Sequence, residues 1–114
     1  MPYIDAKISK KLTSEEKTEL KAFFGSAIAL FPGKTENWLM CHIEGEKDLW
    51  FQGNNDDASA FVEVKLYGSV DPAASAKFTG AVCEELERRF GVPASRVYVR
   101  YEGGTAWGWN GGNF

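Results

Sequence analysis

The sequence is short of several things, and each shortage closes off a class of protein. Its two cysteines, Cys41 and Cys83, are far apart and form no CxxC. Cys41 falls in an apolar strand-like run and Cys83 in a helical one. Both therefore read as small buried hydrophobes and not as ligands or a disulfide pair. The single histidine, His42, is too little for a multi-histidine centre and reads as a structural or surface strand residue. No metal and no cofactor is expected. No apolar run approaches the roughly 18 residues a membrane span needs. Asp5, Lys7, Lys10 and Lys11 deny the start of the chain the apolar stretch of a signal peptide. No membrane association is expected. A cytoplasmic location is the default, and secretion without a signal peptide stays compatible with this sequence. Positive charge is in deficit as well. Thirteen Lys and Arg against sixteen Asp and Glu leave a net charge of -3. Nucleic-acid binding needs the opposite balance, clustered.

What is present is aromatic. The 114 residues include eight Phe, four Trp and four Tyr. At 44% hydrophobic and 25% charged the chain has the composition of one globular domain, residues 1–114, with a modest core. So small a core does not easily hide that many rings, so some should line a pocket or a subunit interface.

Residues 3–9 mix apolar and polar side chains at roughly period two, which predicts an opening strand. Thr13 and Glu16 have capping-box spacing for a helix. Leu20, Phe23, Phe24, Ala27, Ile28 and Phe31 then mark one helical face, and Pro32-Gly33 ends it. Residues 38–43 are apolar enough for a buried strand, and residues 49–51 for a short second piece ahead of the turn-rich stretch 53–57. Ala60–Leu66 alternates most clearly of all. Asp71 as N-cap and Pro72 at the first helical position open a second helix striped by Phe78, Val82, Leu86 and Phe90, with Gly91 as its stop. Residues 97–99 are the next strand, and a Gly-rich, aromatic tail follows.

This order repeats. FPGKTENWLM (31–40) and FGVPASRVYV (90–99) align without a gap, each passing from a helix end through a turn into an apolar run. Two β-α-β halves predict an α+β fold: two pseudo-symmetric units forming a four-stranded sheet with both helices on one face. The other sheet face is then bare and needs a partner, which makes self-assembly the expectation.

Pro2 is the sharpest chemical feature. A small second residue favours removal of Met1, which exposes a secondary amine at the start of a strand. Free α-amino groups titrate near pH 8, and an apolar setting disfavours the charged form. Such an amine serves as a general base near neutrality without any histidine. Trp107, Trp109 and Phe114 are candidates for that setting. By itself, however, Met-Pro is common and mostly means only a processed terminus.

Four short segments, in this order and at these distances, carry a likeness: Met1-Pro2; Gly33-Lys34; Arg96-Val97-Tyr98; and Gly108-Trp109-Asn110-Gly111-Gly112-Asn113-Phe114. Through them the chain resembles the macrophage migration inhibitory factor family of the tautomerase superfamily along essentially its whole length. The resemblance implies a homotrimer whose three sheets form a central barrel. It also implies pockets at subunit boundaries and cofactor-independent keto–enol tautomerisation of aromatic 2-keto acids of the phenylpyruvate type and of dopachrome-like compounds. A cytokine-like role with a protein receptor is the alternative that the same resemblance allows.

Residue by residue, the resemblance makes Pro2 the catalytic base and Lys34 the pocket lysine that suits a carboxylate or a developing enolate oxygen. It makes Tyr98 a tyrosine reaching the adjacent chain's site, and Trp109 and Phe114 the aromatic end of the pocket. Tyr67 falls where an aliphatic pocket residue is usual, and its backbone still offers a hydrogen bond. There are departures too. Arg100 stands where the best-known members have Asn, two residues from Tyr98 and so on the same strand face. Its planar fork suits a carboxylate, either a substrate's or that of Glu63 or Glu102. Trp107 replaces a smaller aliphatic residue, which narrows the pocket mouth. Ala60-Phe61-Val62-Glu63 stands where mammalian members carry CxxC, so thiol–disulfide activity is not expected. Arg100 and Trp107 together also leave open a redirection of the same base to another small acid.

Overall fold

Burial alternates strictly along two strands, and that alternation sets the architecture. The computed structural model describes residues 1–114. In β1 (Pro2–Ile8) residues Ile4, Ala6 and Ile8 are fully buried. In β3 (Ala60–Leu66) the matching set is Ala60, Val62, Val64 and Leu66. The two strands pair antiparallel with Pro2 opposite Leu66 and Ile8 opposite Ala60, so the buried sets share one sheet face. Parallel partners flank them: β2 (Met40–Glu44) beside β1, and β4 (Val97–Glu102) beside β3. The sheet order β2-β1-β3-β4 is that of two β-α-β halves joined back to back.

Both helices lie over the buried face. The capping box expected at Thr13 is present: its hydroxyl accepts from the Glu16 N–H at 3.1 Å, and the Glu16 carboxylate accepts from the Thr13 N–H at 2.9 Å. It opens α1 (Ser14–Ala27). Asp71 caps Ala73 at 3.0 Å to open α2 (Pro72–Phe90), and Gly91 closes it with φ 69°. Leu20 and Phe24 from α1 and Phe78, Val82 and Leu86 from α2 join the strand residues in one core. Phe78 is its hinge-pin, with the rings of Phe31, Tyr101 and Phe24 at 5.4, 6.2 and 6.5 Å. No helix is long and apolar enough to cross a membrane.

The other sheet face carries Tyr3, Asp5 and Lys7 on β1, Phe61, Glu63 and Lys65 on β3, and Tyr98, Arg100 and Glu102 on β4. No layer of this chain covers it. The rings left outside the core include Trp38, Trp50, Tyr98, Trp109 and Phe114, each at least 46% exposed.

Several boundaries differ from the sequence expectation. β2 begins at Met40, and Trp38 sits in a 3₁₀ turn, Glu36–Trp38. Pairing starts at Tyr3 with Met40 because Pro2 has no N–H to extend the ladder. Residues 49–51 form no strand. Phe51 instead closes a tight turn with Asn54 through reciprocal backbone bonds, and Gln52 and Gly53 both take positive φ there. β4 runs to Glu102, paired with β3 along its whole length. The charge of Arg100, which interrupts the apolar run, points from the uncovered face. The tail is ordered as a hairpin of β5 (Gly108–Trp109) and β6 (Gly112–Asn113). Cys41 and Cys83 are free but half-buried, not buried. Burial pushes the Cys41 thiol up to about 11.

Candidate active site

Pro2 heads β1, buried against Leu66, and the residues around it come from three separate stretches of chain. The first is the end of β3. The Tyr67 N–H donates to the Met1 carbonyl at 3.0 Å, which continues the β1–β3 ladder one residue past Pro2. The second is the turn after α1. Phe31 is anchored in the core, Gly33 turns with φ 76°, and Lys34 is thereby presented towards the end of β3. Its Nζ donates to the Tyr67 carbonyl at 2.8 Å and lies 6.0 Å from the centre of the Tyr67 ring.

The third stretch is the tail. Gly68 and Gly104 exchange two backbone bonds of 2.8 Å, which pins the loop after β4 to the end of β3. The approach is close: a Cβ on Gly103 would meet the Gly68 carbonyl oxygen at 2.5 Å. From there the chain returns. The Phe114 N–H donates to the Trp107 carbonyl at 3.3 Å, and the Phe114 ring packs on Tyr67 at 5.2 Å. A cleft of about 410 Å³ opens beside this loop, lined by Lys65, Leu66, Glu102 and the stretch from Gly103 to Trp107.

The electrostatics follow from these contacts. The α-amino group at Met1 lies below its ordinary value of 8.0, first through desolvation and second through the neighbouring positive charge of Lys34. While Met1 is attached, the Pro2 nitrogen is an amide without useful basicity. No cluster of three or more His, Cys, Asp or Glu side chains is placed to hold a metal ion.

One chain thus brings together Pro2, Lys34, Tyr67 and Phe114, with Trp107 tied in through its backbone. Trp109 stands in the hairpin and meets Trp38 edge-on at 5.3 Å. Trp38 was missed by the sequence reading, which placed it in a strand. The other two candidates are elsewhere. Tyr98 is opposite Phe61, five residues along β3 from the Leu66 that faces Pro2, or about 17 Å at strand rise. Arg100 is opposite Glu63 on the uncovered face, yet its guanidinium turns to the Tyr101 carbonyl and pairs with no acid. Glu102 pairs instead with Lys65, at 4.0 Å. The candidates therefore fall into two half-sites, one around Pro2 and one along β4.

A family model described as macrophage migration inhibitory factor matches residues 1–114. The migration inhibitory factor of Xenopus laevis is 28% identical over 89 residues, which are 76% of each chain. Among solved structures, that of MIF2 from Leishmania major superposes with a TM-score of 0.91 at 29% identity, covering 100% of this chain and 97% of the other. The homologue from Prochlorococcus marinus gives 0.81 at 27%, covering 98% of each.

Proposed function

The chain belongs to the macrophage migration inhibitory factor family, and from that premise we propose that it is a cofactor-independent keto–enol tautomerase of aromatic 2-keto acids, with Pro2 as its base. The observation that carries this reading is the setting of the chain's first amine. Burial and the Lys34 charge already depress the amine of Met1. Pro2 is more deeply buried than Met1, so loss of Met1 moves the amine into a drier place beside the same lysine. Both influences favour the neutral, proton-accepting form.

The reaction is a proton transfer with no net change in atoms. The Pro2 nitrogen takes a proton from C3 of the substrate, the C–H electrons form the C2–C3 double bond, the C2–O π electrons move onto the oxygen, and protonated Pro2 returns its proton there to give the enol. Lys34 holds the carboxylate and the developing charge on the C2 oxygen. The Tyr67 N–H, which the Met1 carbonyl occupies, becomes a free donor when Met1 leaves. Phe114, Trp107 and Trp109 hold the ring. The second half-site completes the pocket across a boundary between subunits: in a homotrimer, Tyr98 and Arg100 of the partner subunit reach the site that Pro2 heads. That assembly also covers the bare sheet face. We also propose dopachrome-like compounds as substrates, with a quinone oxygen in place of the C2 oxygen, and we place the protein in the cytoplasm.

Phenylpyruvate tautomerisation by Met1-free protein, measured beside a Pro2→Gly variant of the same mass-verified form, tests the proposal. We expect a loss of up to about a hundredfold in kcat/KM, because glycine keeps a terminal amine but lacks the ring that fixes its position. Equal rates would sink it. A receptor-binding role would survive the same substitution.

A further inference from the structure

We propose that Arg96 and Phe51 are positioning residues that set the orientation of Tyr98. What Tyr98 does rests on the tautomerase reading, but what holds it rests on geometry alone. Arg96 is only 7% exposed, although it carries a full charge. Its guanidinium is spent on neutral oxygens: Nε donates to Ser59 Oγ at 2.8 Å, one terminal nitrogen to the Asn54 carbonyl at 3.0 Å, and the other to the Phe51 carbonyl at 3.3 Å. The same guanidinium carbon lies 5.5 Å from the centre of the Phe51 ring. A buried charge satisfied by three fixed dipoles is a costly way to fill space. It is an effective way to hold a loop, because the planar fork grips both carbonyls of one turn at once.

That turn has little else to define it. Residues 45–59 contain no strand: backbone bonds tie their two ends to Ile8, Ser9 and Lys10, and between those ends the Phe51–Asn54 pair is the one backbone link. Behind it, the Ser59 N–H donates to Ser9 Oγ at 2.8 Å, which ties the latch to the end of β1. In front of it, the Phe51 ring meets Tyr98 edge-on, with centroids 5.2 Å apart at 87°. Tyr98 is 59% exposed on the uncovered face, and Phe51 is the aromatic ring that packs on it. Arg96 therefore stands two residues before Tyr98 along the chain and also reaches it through space, by way of the Phe51 ring. A turn that slipped would release the tyrosine from its one ring contact while the sheet stayed intact.

The test uses full-length, Met1-free protein labelled with 3-fluorotyrosine, with the Tyr98 signal assigned by Tyr98→Phe. Arg96→Gln and Phe51→Leu should each displace the Tyr98 fluorine resonance and leave that of core-packed Tyr101 in place. Phe51→Tyr, which keeps the ring, should restore it. KM for phenylpyruvate should rise roughly three- to tenfold in the two disruptive variants, the range of one aromatic pair. kcat should stay within about twofold, and exchange at C3 of aliphatic 2-oxobutanoate should be unmoved, since no ring is held there. A stationary Tyr98 signal in Phe51→Leu overturns the latch, as does an equal rise of KM for both substrates. An inactive wild type overturns the tautomerase reading, and the resonance then decides the latch by itself. Phe51→Leu leaves Arg96 in place, so the test survives misfolding of Arg96→Gln.

Discussion

Replacing Lys34 with Met should damage this site in two separable ways. The side chain contributes one charge and one short bond to the Tyr67 carbonyl, 2.8 Å in a half-buried setting. A hydrogen bond with a charged partner is worth about 1.5–3 kcal/mol. If Lys34 holds the substrate carboxylate, its removal raises KM by roughly 10- to 150-fold, since about 1.4 kcal/mol is tenfold. The second effect has a sign that the structure dictates. Lys34 lowers the pKa of the terminal amine because a positive neighbour disfavours a second positive charge. Without it the amine holds its proton to higher pH. The acid limb of the kcat/KM profile should therefore move up in pH, and activity at neutral pH should fall further than KM alone accounts for. Lys34→Arg keeps the charge and should keep the limb where it is. Steady-state assays across pH 5–9 on the three proteins read both effects. A limb that stays still in Lys34→Met, or moves down, refutes the electrostatic argument even if KM rises as expected.

Other consequences are simpler to measure. Phe78→Ala removes a fully buried ring packed on Phe24, Phe31 and Tyr101, and should cost about 3–5 kcal/mol in urea unfolding. Thr13→Ala removes one side of the capping box and should cost about 1 kcal/mol by the same measurement. Cys41, with its thiol pushed up to about 11, should alkylate with iodoacetamide at pH 8 at least about tenfold more slowly than in urea-unfolded protein, as peptide mass spectrometry reads it. Arg100→Asn should scarcely alter phenylpyruvate turnover but should raise KM roughly tenfold or more for a ring-carboxylated analogue, where the guanidinium meets a second anion.

Much of the fold is legible in the sequence because its signals are local. The capping box at Thr13, Asp71-Pro72 and Gly91 each fix a helix end through one or two hydrogen bonds between near neighbours, and Ala60–Leu66 alternates because one face of β3 is buried. The signals fail where long-range pairing decides. Trp38 is apolar enough for a strand, but β1 has no N–H at Pro2 to extend its pairing with β2 beyond Tyr3. Arg100 looks like a strand end, yet β3 pairs past it. The tail hairpin carries a local signal as well: Asn110-Gly111, with positive φ at both positions, is the two-residue turn that closes the β5–β6 pair. The site divides in the same way. Pro2, Lys34, Tyr67 and Phe114 are gathered by one chain, whereas Tyr98 and Arg100 lie on β4, two strands from β1, where sequence spacing indicates the face they share but not the partner they meet.

The central claim is that Pro2, once free, is a base tuned by burial and by Lys34. A nitrogen-15 titration of the Pro2 amine in intact Met1-free protein tests it most directly. The pKa should lie below the roughly 8 of an ordinary terminal amine and coincide with the acid limb of the kcat/KM profile. A Pro2 amine titrating at or above that ordinary value would contradict it.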